Sequence, residues 1–187
     1  MLGHGGKDVG ASSENRYEKD DTLKIAKLVE KHLEGYKSKK KIKVIMTREK
    51  DKAISLQDRC KFANKKKANL FVSIHRNIAD TGNGIEIWAN SQKRESDTKL
   101  AETILEKLEK TNIQSNRGVK YGTIKSEDSN YYVLNNTNMP SCLIELGFIS
   151  NDKDNKLLDE NIDEYAKAIA EGIIENINKE LKWFTSC

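Results

Sequence analysis

The sequence predicts a single α/β domain, with a mixed, mainly parallel sheet and helices on both of its faces. Two observations carry this prediction. The runs at 70–74 and 141–148 are almost continuously apolar, as is typical of strands buried on both faces of a parallel sheet. Amphipathic stretches of helical length lie between and around them. The chain has 187 residues, the size of one domain, with no internal repeat evident. We expect the domain to span residues 1–181 and residues 182–187 to be a tail or linker stub.

The other elements follow from hydrophobic period and from helix start and stop residues. Ser55 with Asp58 three residues later resembles a capping box at the start of a helix. In chain order, the predicted elements are a helix over 20–36, a strand over 42–46, a helix over 55–67, a strand over 70–74, a strand with one wetter face over 84–89, a helix over 94–111, an irregular loop over 112–130, a strand over 141–148 and a helix over 161–181.

Composition limits the class of protein. Hydrophobic residues make up 36% of the chain and charged residues 33%, which is typical of a soluble globular domain with a charged surface. No apolar run approaches the roughly 20 residues of a membrane helix, so no membrane span is predicted. The three cysteines, Cys60, Cys142 and Cys187, form neither a disulfide framework nor a metal-binding pair, and the first two are expected to be reduced core residues.

Positive charge is concentrated between residues 37 and 43, and the whole chain carries a formal net charge of +4. Such a run could bind nucleic acid, but no aromatic residues interleave with the lysines as in a single-strand platform. A solvated connection explains it better, and no nucleic-acid partner is predicted. The net charge favours approach to a polyanionic surface without naming one.

Three residues stand out as candidates for chemistry. His75 follows a buried strand, where α/β sheets place their ligands, although a hydrogen-bonded structural histidine would look the same. His4 lies in a segment with four glycines, Gly3 to Gly10, which permits close approach to a ligand, while the alternative is an ordinary loop residue. Glu145 interrupts an apolar strand, and a buried glutamate is rare unless it is paired or bound to metal. His32, beside an apolar helix stripe, is interpreted as structural.

Together with Glu18, which precedes the first predicted helix, the two histidines would form a set of candidate metal ligands. Two imidazoles and one carboxylate are typical of catalytic zinc and leave a fourth position for water. A second carboxylate, Glu145, could then act as a general base. Because these residues are scattered along the chain, their spacing alone does not establish the set.

The order of several short segments carries a family resemblance. The chain resembles the zinc-dependent N-acetylmuramoyl-L-alanine amidases of the Amidase_3 family, in endolysins and autolysins, over roughly residues 3–178. The matching segments are Gly3-His4-Gly5-Gly6-Lys7-Asp8, Tyr17-Glu18-Lys19-Asp20, Thr47-Arg48, Ser73-Ile74-His75-Arg76-Asn77 and Met139-Pro140, followed by Ile144-Glu145-Leu146-Gly147-Phe148-Ile149-Ser150-Asn151.

The resemblance implies a phosphorylase/hydrolase-like α/β fold and one zinc ion per chain, bound by His4, Glu18 and His75. It implies that Glu145 is the catalytic glutamate and that the substrate is bacterial peptidoglycan, cut between N-acetylmuramic acid and L-alanine. Arg76 and Asn77 border this site and are expected to contact substrate. Anionic wall polymers are a further expected partner because of the net positive charge.

One departure from the family pattern concerns the N-terminus. Family members carry a full apolar strand, and usually Asp-Pro, before Gly-His-Gly-Gly, whereas only Met1-Leu2 precede it here. We therefore expect a truncated first strand. No signal peptide is visible, which favours a phage lysin, a lysis-released autolysin or a clipped sequence acting on the cell wall. The alternatives are a zinc peptidase or deacetylase acting on another wall bond, and a wall-binding or regulatory module without catalysis.

Overall fold

The structure is a computed structural model that describes residues 3–37 and 42–184, the last five of them by their backbone alone. The helices are α1 Glu18–Gly35, α2 Leu56–Lys65, α3 Glu95–Lys110, α4 Tyr132–Asn136 and α5 Asp152–Phe184. The strands are β1 Ser12–Ser13, β2 Arg16–Tyr17, β3 Phe71–Asn77, β4 Ile85–Ala89, β5 Asn116–Tyr121 and β6 Ser141–Phe148.

The main sheet has four strands in the order β3-β6-β4-β5. Strand β3 runs parallel to β6, β6 runs antiparallel to β4, and β4 runs parallel to β5. A two-stranded hairpin of β1 and β2 lies apart from this sheet. The predicted class, a mixed and mainly parallel α/β sheet, is confirmed.

Helices cover both faces of the sheet, and alternate residues of each strand face different partners. On one face, Ile74, Ile87 and Ile144 join a core formed with α1, α3 and α5. On the other face, Phe71 and Leu143 join a smaller core that includes residues of α2 and α4. We call these the helical face and the cleft face, because the candidate site opens on the second.

Two predicted helices have different bounds in the structure. Helix α1 begins at Glu18, so this residue is the first of the helix rather than lying ahead of it. Helix α5 begins at Asp152, nine residues before the predicted start. Asn161, with φ −127° and ψ 21°, marks a kink between two helical parts, and the predicted helix corresponds to the second part. The helix continues to Phe184, and the division of the chain at residue 181 stays a prediction.

One strand prediction and one loop prediction were wrong. No strand forms over residues 42–46, although Ile42, Val44 and Met46 pack against the main core. Packing of every second residue against the core is therefore insufficient to form a strand without a neighbouring strand to supply ladder hydrogen bonds. Conversely, β5 forms inside the predicted loop over 112–130, because Asn116 to Tyr121 pair with β4 at the sheet edge, where polar side chains remain in contact with water.

The prediction of a wetter face on the strand over 84–89 was also wrong. All five residues of β4 are buried, including Glu86 and Trp88 on the cleft face. The Trp88 ring packs edge-on against Tyr131 at 5.6 Å between ring centroids, which covers this face. The alternation of polar and apolar residues therefore indicated correctly that the two faces of β4 have different environments. The expectation that one of these environments is solvent was wrong.

Cys60 and Cys142 are free and buried, as predicted, while Cys187 lies outside the described residues. Much of the basic stretch over 37–43 also falls outside them. Within the described part of the chain, no helix combines the length and apolar character needed to cross a membrane.

Candidate metal centre

Three predicted residues from distant parts of the chain meet at one edge of the sheet. His4 comes from the glycine-rich loop, Glu18 from the start of α1 and His75 from β3. One candidate ligand atom of each lies within 4.8 Å of the others. Nε2 of His4 is 3.1 Å from Oε2 of Glu18, and Nδ1 of His75 is 2.7 Å from Oε1 of the same carboxylate. His75 lies within β3, which continues to Asn77, rather than just beyond the strand.

The glycine-rich loop has a backbone that few side chains would permit. His4 itself has a positive φ of 49°. A Cβ added at Gly10, where φ is +72°, would lie 2.5 Å from Oε2 of Glu18 and from Cδ2 of His4. A Cβ at Gly3 would lie 2.5 Å from Cε1 of His75. Both glycines therefore let the backbone approach the candidate ligands closely.

Two buried arginines hold the backbone of this loop in place through hydrogen bonds. Nη2 of Arg48 donates to the carbonyl of Gly3 at 3.2 Å, and Nη2 of Arg59 donates to the carbonyl of His4 at 2.8 Å. Arg59 also donates to the carbonyl of Ile54, just before α2. Nη2 of Arg48 donates also to the carbonyl of Lys19 in α1 at 2.6 Å, so the loop is tied to α1 as well as to α2.

Each imidazole is held through the nitrogen that faces away from Glu18. His4 donates from Nδ1 to Oδ1 of Asp8 at 2.7 Å, and Gly10 donates its backbone N–H to the same oxygen. Nε2 of His75 hydrogen-bonds with the hydroxyl of Ser73 at 2.9 Å. Such partners set the ring orientation and the tautomer of a metal ligand. The remaining nitrogens are therefore directed toward one point beside Glu18.

The Glu18 carboxylate is buried and held by two backbone groups. Ala11 donates its N–H to Oε2 at 2.7 Å, and Arg76 donates its N–H to Oε1 at 3.1 Å. Burial by itself raises the pKa of Glu18, but hydrogen bonds from His4 and His75 outweigh it and hold the pKa well below its usual range. Glu18 is thus a fixed, ionised acceptor.

Glu145 lies beside this group on the cleft face of β6, where the strand register pairs it with His75. It is 8% exposed, and its Oε2 has no hydrogen-bond partner among the residues that the structure describes. Burial, followed by the charges of Glu18 and Glu86, raises the pKa of Glu145 well above its usual value. An unpaired buried carboxylate of raised proton affinity is suited to accept a proton.

The candidate group opens into a cleft of about 600 Å³. Glu145, Asn77 and Ser73 line its floor, while Leu56 of α2 and Tyr132 of α4 line its walls. Leu56 and Tyr132 are 50% and 38% exposed, respectively. Polar atoms thus converge at the floor of a cleft with apolar walls, as in many small-molecule sites.

Arg76 and Asn77, both expected to contact substrate, have different environments. The guanidinium of Arg76 is completely buried and donates to Asp21 of α1 and Asn155 of α5, on the helical face. The guanidinium thus points away from Asn77, because successive strand residues point to opposite faces. Arg76 is nevertheless among the residues that line the cleft, and its contact with substrate stays a prediction. Asn77 faces the cleft and donates from Nδ2 to Glu86 at 2.9 Å.

Sequence reasoning missed several residues that support the site. Ser73 lies two positions before His75 in the same strand, so strand alternation could have placed both on one face. Asp8 is a carboxylate in the same glycine-rich segment as His4. No local signal identified Arg59 or Glu86, because their partners are distant in sequence.

The fold and the site define an α/β domain that carries a candidate metal centre at the edge of its sheet. The family model of N-acetylmuramoyl-L-alanine amidase matches residues 1–175, and the chain belongs to this family. His32 is not part of the centre, since its Nε2 contacts Asp163 at 3.0 Å on the surface.

Known relatives agree with this assignment. A Staphylococcus epidermidis protein named "Probable cell wall amidase LytH" is 35% identical over 182 residues, which is 95% of this chain and 55% of the relative. The endolysin of Bacillus phage SPP1 is 37% identical over 188 residues, which is 96% of this chain and 65% of the endolysin. The chain thus spans between half and two thirds of the length of these relatives.

Solved structures share the fold. The N-acetylmuramoyl-L-alanine amidase from Clostridium difficile 630 has a TM-score of 0.80 and 34% identity, covering 97% of this chain and 95% of that one. The catalytic domain of CwlV from Bacillus (Paenibacillus) polymyxa has a TM-score of 0.83 and 34% identity, covering 95% of this chain and 96% of that domain.

Proposed function

We propose that this chain is a zinc hydrolase that cleaves the amide bond between the lactyl group of N-acetylmuramic acid and L-alanine in bacterial peptidoglycan. The observation that carries the proposal is the convergence of His4, Glu18 and His75 beside an unpaired, buried Glu145. Membership in the amidase family supports the choice of bond. The site of action is accordingly the bacterial cell wall.

The donor set supports zinc as the metal. Two imidazole nitrogens and one carboxylate oxygen are the ligands of many catalytic zinc sites. His4, Glu18 and His75 would hold one ion, with Asp8 and Ser73 orienting the two rings. When bound, zinc supplies Lewis acidity toward a carbonyl oxygen and lowers the pKa of water.

Glu145 is the proposed general base. Its free Oε2 would accept a proton from the attacking water and then pass that proton to the amine of L-alanine as the amide bond breaks. Proton uptake and release by one carboxyl group leaves the enzyme unchanged after each turnover. Its burial beside Glu18 favours the uptake of the proton, because both desolvation and charge increase the proton affinity of Glu145.

The cleft also supports a peptidoglycan fragment as the ligand. Asn77 offers an amide at the floor, and the exposed apolar side chains of Leu56 and Tyr132 offer walls for apolar parts of the substrate. We propose Asn77 as the side-chain contact with substrate, beside Arg76, which also lines the cleft.

Digestion of purified peptidoglycan tests the proposal. The enzyme should release stem peptides with new L-alanine amino termini and no new reducing sugar ends, which mass analysis detects. Metal analysis of the purified protein should find one zinc per chain. New amino termini at another residue would instead indicate a peptidase, and loss of acetyl groups would indicate a deacetylase.

Anionic wall polymers are a further proposed partner, on the basis of the net charge of +4. Raising the salt concentration should weaken sedimentation with intact walls, because exposed charges are screened over about 10 Å at 0.1 M. Cleavage of a small soluble muropeptide should be spared. Equal inhibition of both would reject charge-based delivery.

A further inference from the structure

A second buried carboxylate lies next to the candidate site. Glu86 of β4 is 3% exposed and accepts three hydrogen bonds. Nδ2 of Asn77 donates to its Oε1 at 2.9 Å, Nε1 of Trp88 donates to the same oxygen at 3.1 Å, and Nε of Arg117 donates to Oε2 at 2.8 Å. Unlike Glu145, Glu86 is thus fully engaged.

The strand register places Glu86 in line with the site. Glu86 lies opposite Glu145 in the antiparallel pair of β4 and β6, and Glu145 lies opposite His75 in the parallel pair of β6 and β3. Residues directly opposite share one face of a sheet, with Cβ atoms about 4.5–5.5 Å apart in an antiparallel pair. Glu86 is nevertheless not among the described residues that line the cleft. It is therefore placed to act through a neighbour rather than on the substrate.

Stability alone does not require a carboxylate at this position. Trp88, Val133, Leu134 and Leu143 form an apolar cluster on this face of the sheet. Replacing a buried ion pair by apolar residues of similar volume is often neutral or stabilising. A like charge opposite Glu145 adds a further cost. A role of Glu86 in the function of the neighbouring site, rather than in folding, would account for a glutamate at this position.

We infer that Glu86 is a positioning residue for Asn77. Its Oε1 holds one of the two Nδ2 hydrogens, while Oδ1 of Asn77 accepts the backbone N–H of Ile78 at 2.8 Å. These two bonds fix the plane of the amide, so that its second N–H is available to an oxygen atom of a ligand in the cleft. This inference rests on the proposed function, and it assigns Asn77 as the donor to the bound peptidoglycan fragment.

Arg117 completes the arrangement from the outside. It is half exposed, and its guanidinium stacks over the ring of Phe148 at 5.0 Å from the ring centroid. It balances the charge of Glu86 at Oε2, the oxygen that Asn77 does not use. The two oxygens of Glu86 therefore have separate partners. A substitution can remove the interaction with Arg117 and keep the one with Asn77.

The test compares Glu86→Leu, Glu86→Gln, Asn77→Ala and the double variant Glu86→Leu/Asn77→Ala. Glu86→Leu removes the acceptor for Asn77, and we expect kcat/KM on a soluble muropeptide to fall about 10-fold or more, the usual effect of losing an orienting partner. Glu86→Gln keeps an oxygen for Asn77 and should retain most of the activity. The double variant should be no worse than Asn77→Ala, because both changes remove one interaction.

Three results would overturn the inference: full activity of Glu86→Leu, an equal loss in Glu86→Gln, or multiplied losses in the double variant. Zinc content and thermal unfolding of each variant separate these effects from misfolding or metal loss. Every comparison is a ratio of variant activity to the activity of the unchanged enzyme, so it holds whichever wall bond is cut. The identity of the cleaved bond is tested separately, by mass analysis of the cleavage products.

A second measurement needs no catalysis. The side-chain amide of Asn77, assigned by its disappearance in Asn77→Ala, can be followed by ¹⁵N NMR. Its two protons should differ widely in chemical shift in the unchanged protein and in Glu86→Gln, because only one of them is bonded to residue 86. In Glu86→Leu they should move to the range of a free asparagine, and an unaltered signal there would contradict the positioning role.

Discussion

The helical face and the cleft face of the sheet are built from the same strands, yet they are buried for different reasons. In β6, Ile144 faces the helices and is completely buried, while the next residue, Glu145, faces the cleft and is 8% exposed. In β4, Ile87 and Glu86 make the same contrast. Neighbouring residues of one strand are therefore buried to a similar extent, although one is apolar and the next carries a carboxyl group.

The two faces are stabilised differently. On the helical face, the buried apolar side chains contribute by removing apolar surface from water, about 25 cal/mol for each Å². On the cleft face, buried polar groups must find partners, as Glu18 does with two backbone N–H groups and Glu86 with three side chains. Oε2 of Glu145 departs from this rule, and such a departure at a cleft is typical of function.

The largest effect should follow from removing a ligand on the cleft face. With His75→Ala, only His4 and Glu18 remain, and two ligands hold zinc poorly. Most of the metal should be lost, and turnover should fall more than about 10²-fold, beyond the range typical of a supporting partner. Metal analysis and muropeptide turnover measure this. His32→Ala is the control and should keep both, since His32 contacts Asp163 at the surface; stoichiometric zinc in His75→Ala would remove His75 from the set.

Glu145→Gln should separate chemistry from binding. Glutamine keeps the shape of the side chain but cannot accept the proton, so turnover should fall by about 10²-fold or more, the usual size of a general-base contribution. Folding and zinc content should be unchanged, because Glu145 is not among the three converging ligand residues. Zinc loss in this variant would make Glu145 a ligand, and near-full activity would exclude it from the mechanism.

Local sequence signals predicted much of this molecule. Periodicity indicated α1 and α3, because their buried residues follow the helical period closely. A continuous apolar run indicated β6, all eight residues of which are buried. Ser55 accepts a hydrogen bond from the backbone N–H of Asp58, as the capping-box pattern predicted. The gathering of His4, Glu18 and His75 was expected only because the segments resemble a known family in their order.

Features that depend on distant partners were not predictable in this way. Strand β5 is polar because it lies at a sheet edge, and its pairing with β4 is not visible in its own residues. Glu86 was assigned to a wetter face because a lone sequence does not reveal that Asn77, Trp88 and Arg117 surround it. The arginine bonds that fix the glycine loop likewise join residues more than forty positions apart.

Ile144→Ala should show the opposite behaviour to Glu145→Gln, one residue away on the same strand. Removing most of a completely buried side chain from the main core leaves a cavity, and the free energy of unfolding should fall by about 2–5 kcal/mol. Turnover per folded molecule should change little, because Ile144 faces the helices. Denaturant unfolding and muropeptide kinetics test this, and a selective loss of turnover at unchanged stability would contradict the division into two faces.

The smallest effect concerns Glu175, which forms two ion pairs on the outer side of the helical face. Glu175 of α5 pairs with Lys107 of α3 and with Lys179, and hydrogen bonds from these two lysines lower the pKa of Glu175 from 4.5 to about 2. A carboxyl group with a lowered pKa in the folded state contributes stability above the pKa of the unfolded chain, and it loses this contribution as the pH falls from about 4.5 toward 2. Glu175 is partly exposed, so solvent screening limits the gain to less than about 1 kcal/mol. Glu175→Gln should therefore lower the free energy of unfolding slightly at pH 7 and have no measurable effect near pH 2, as followed by urea unfolding at both values. A loss of the same size at both pH values would assign the contribution of Glu175 to packing between α3 and α5 rather than to its charge.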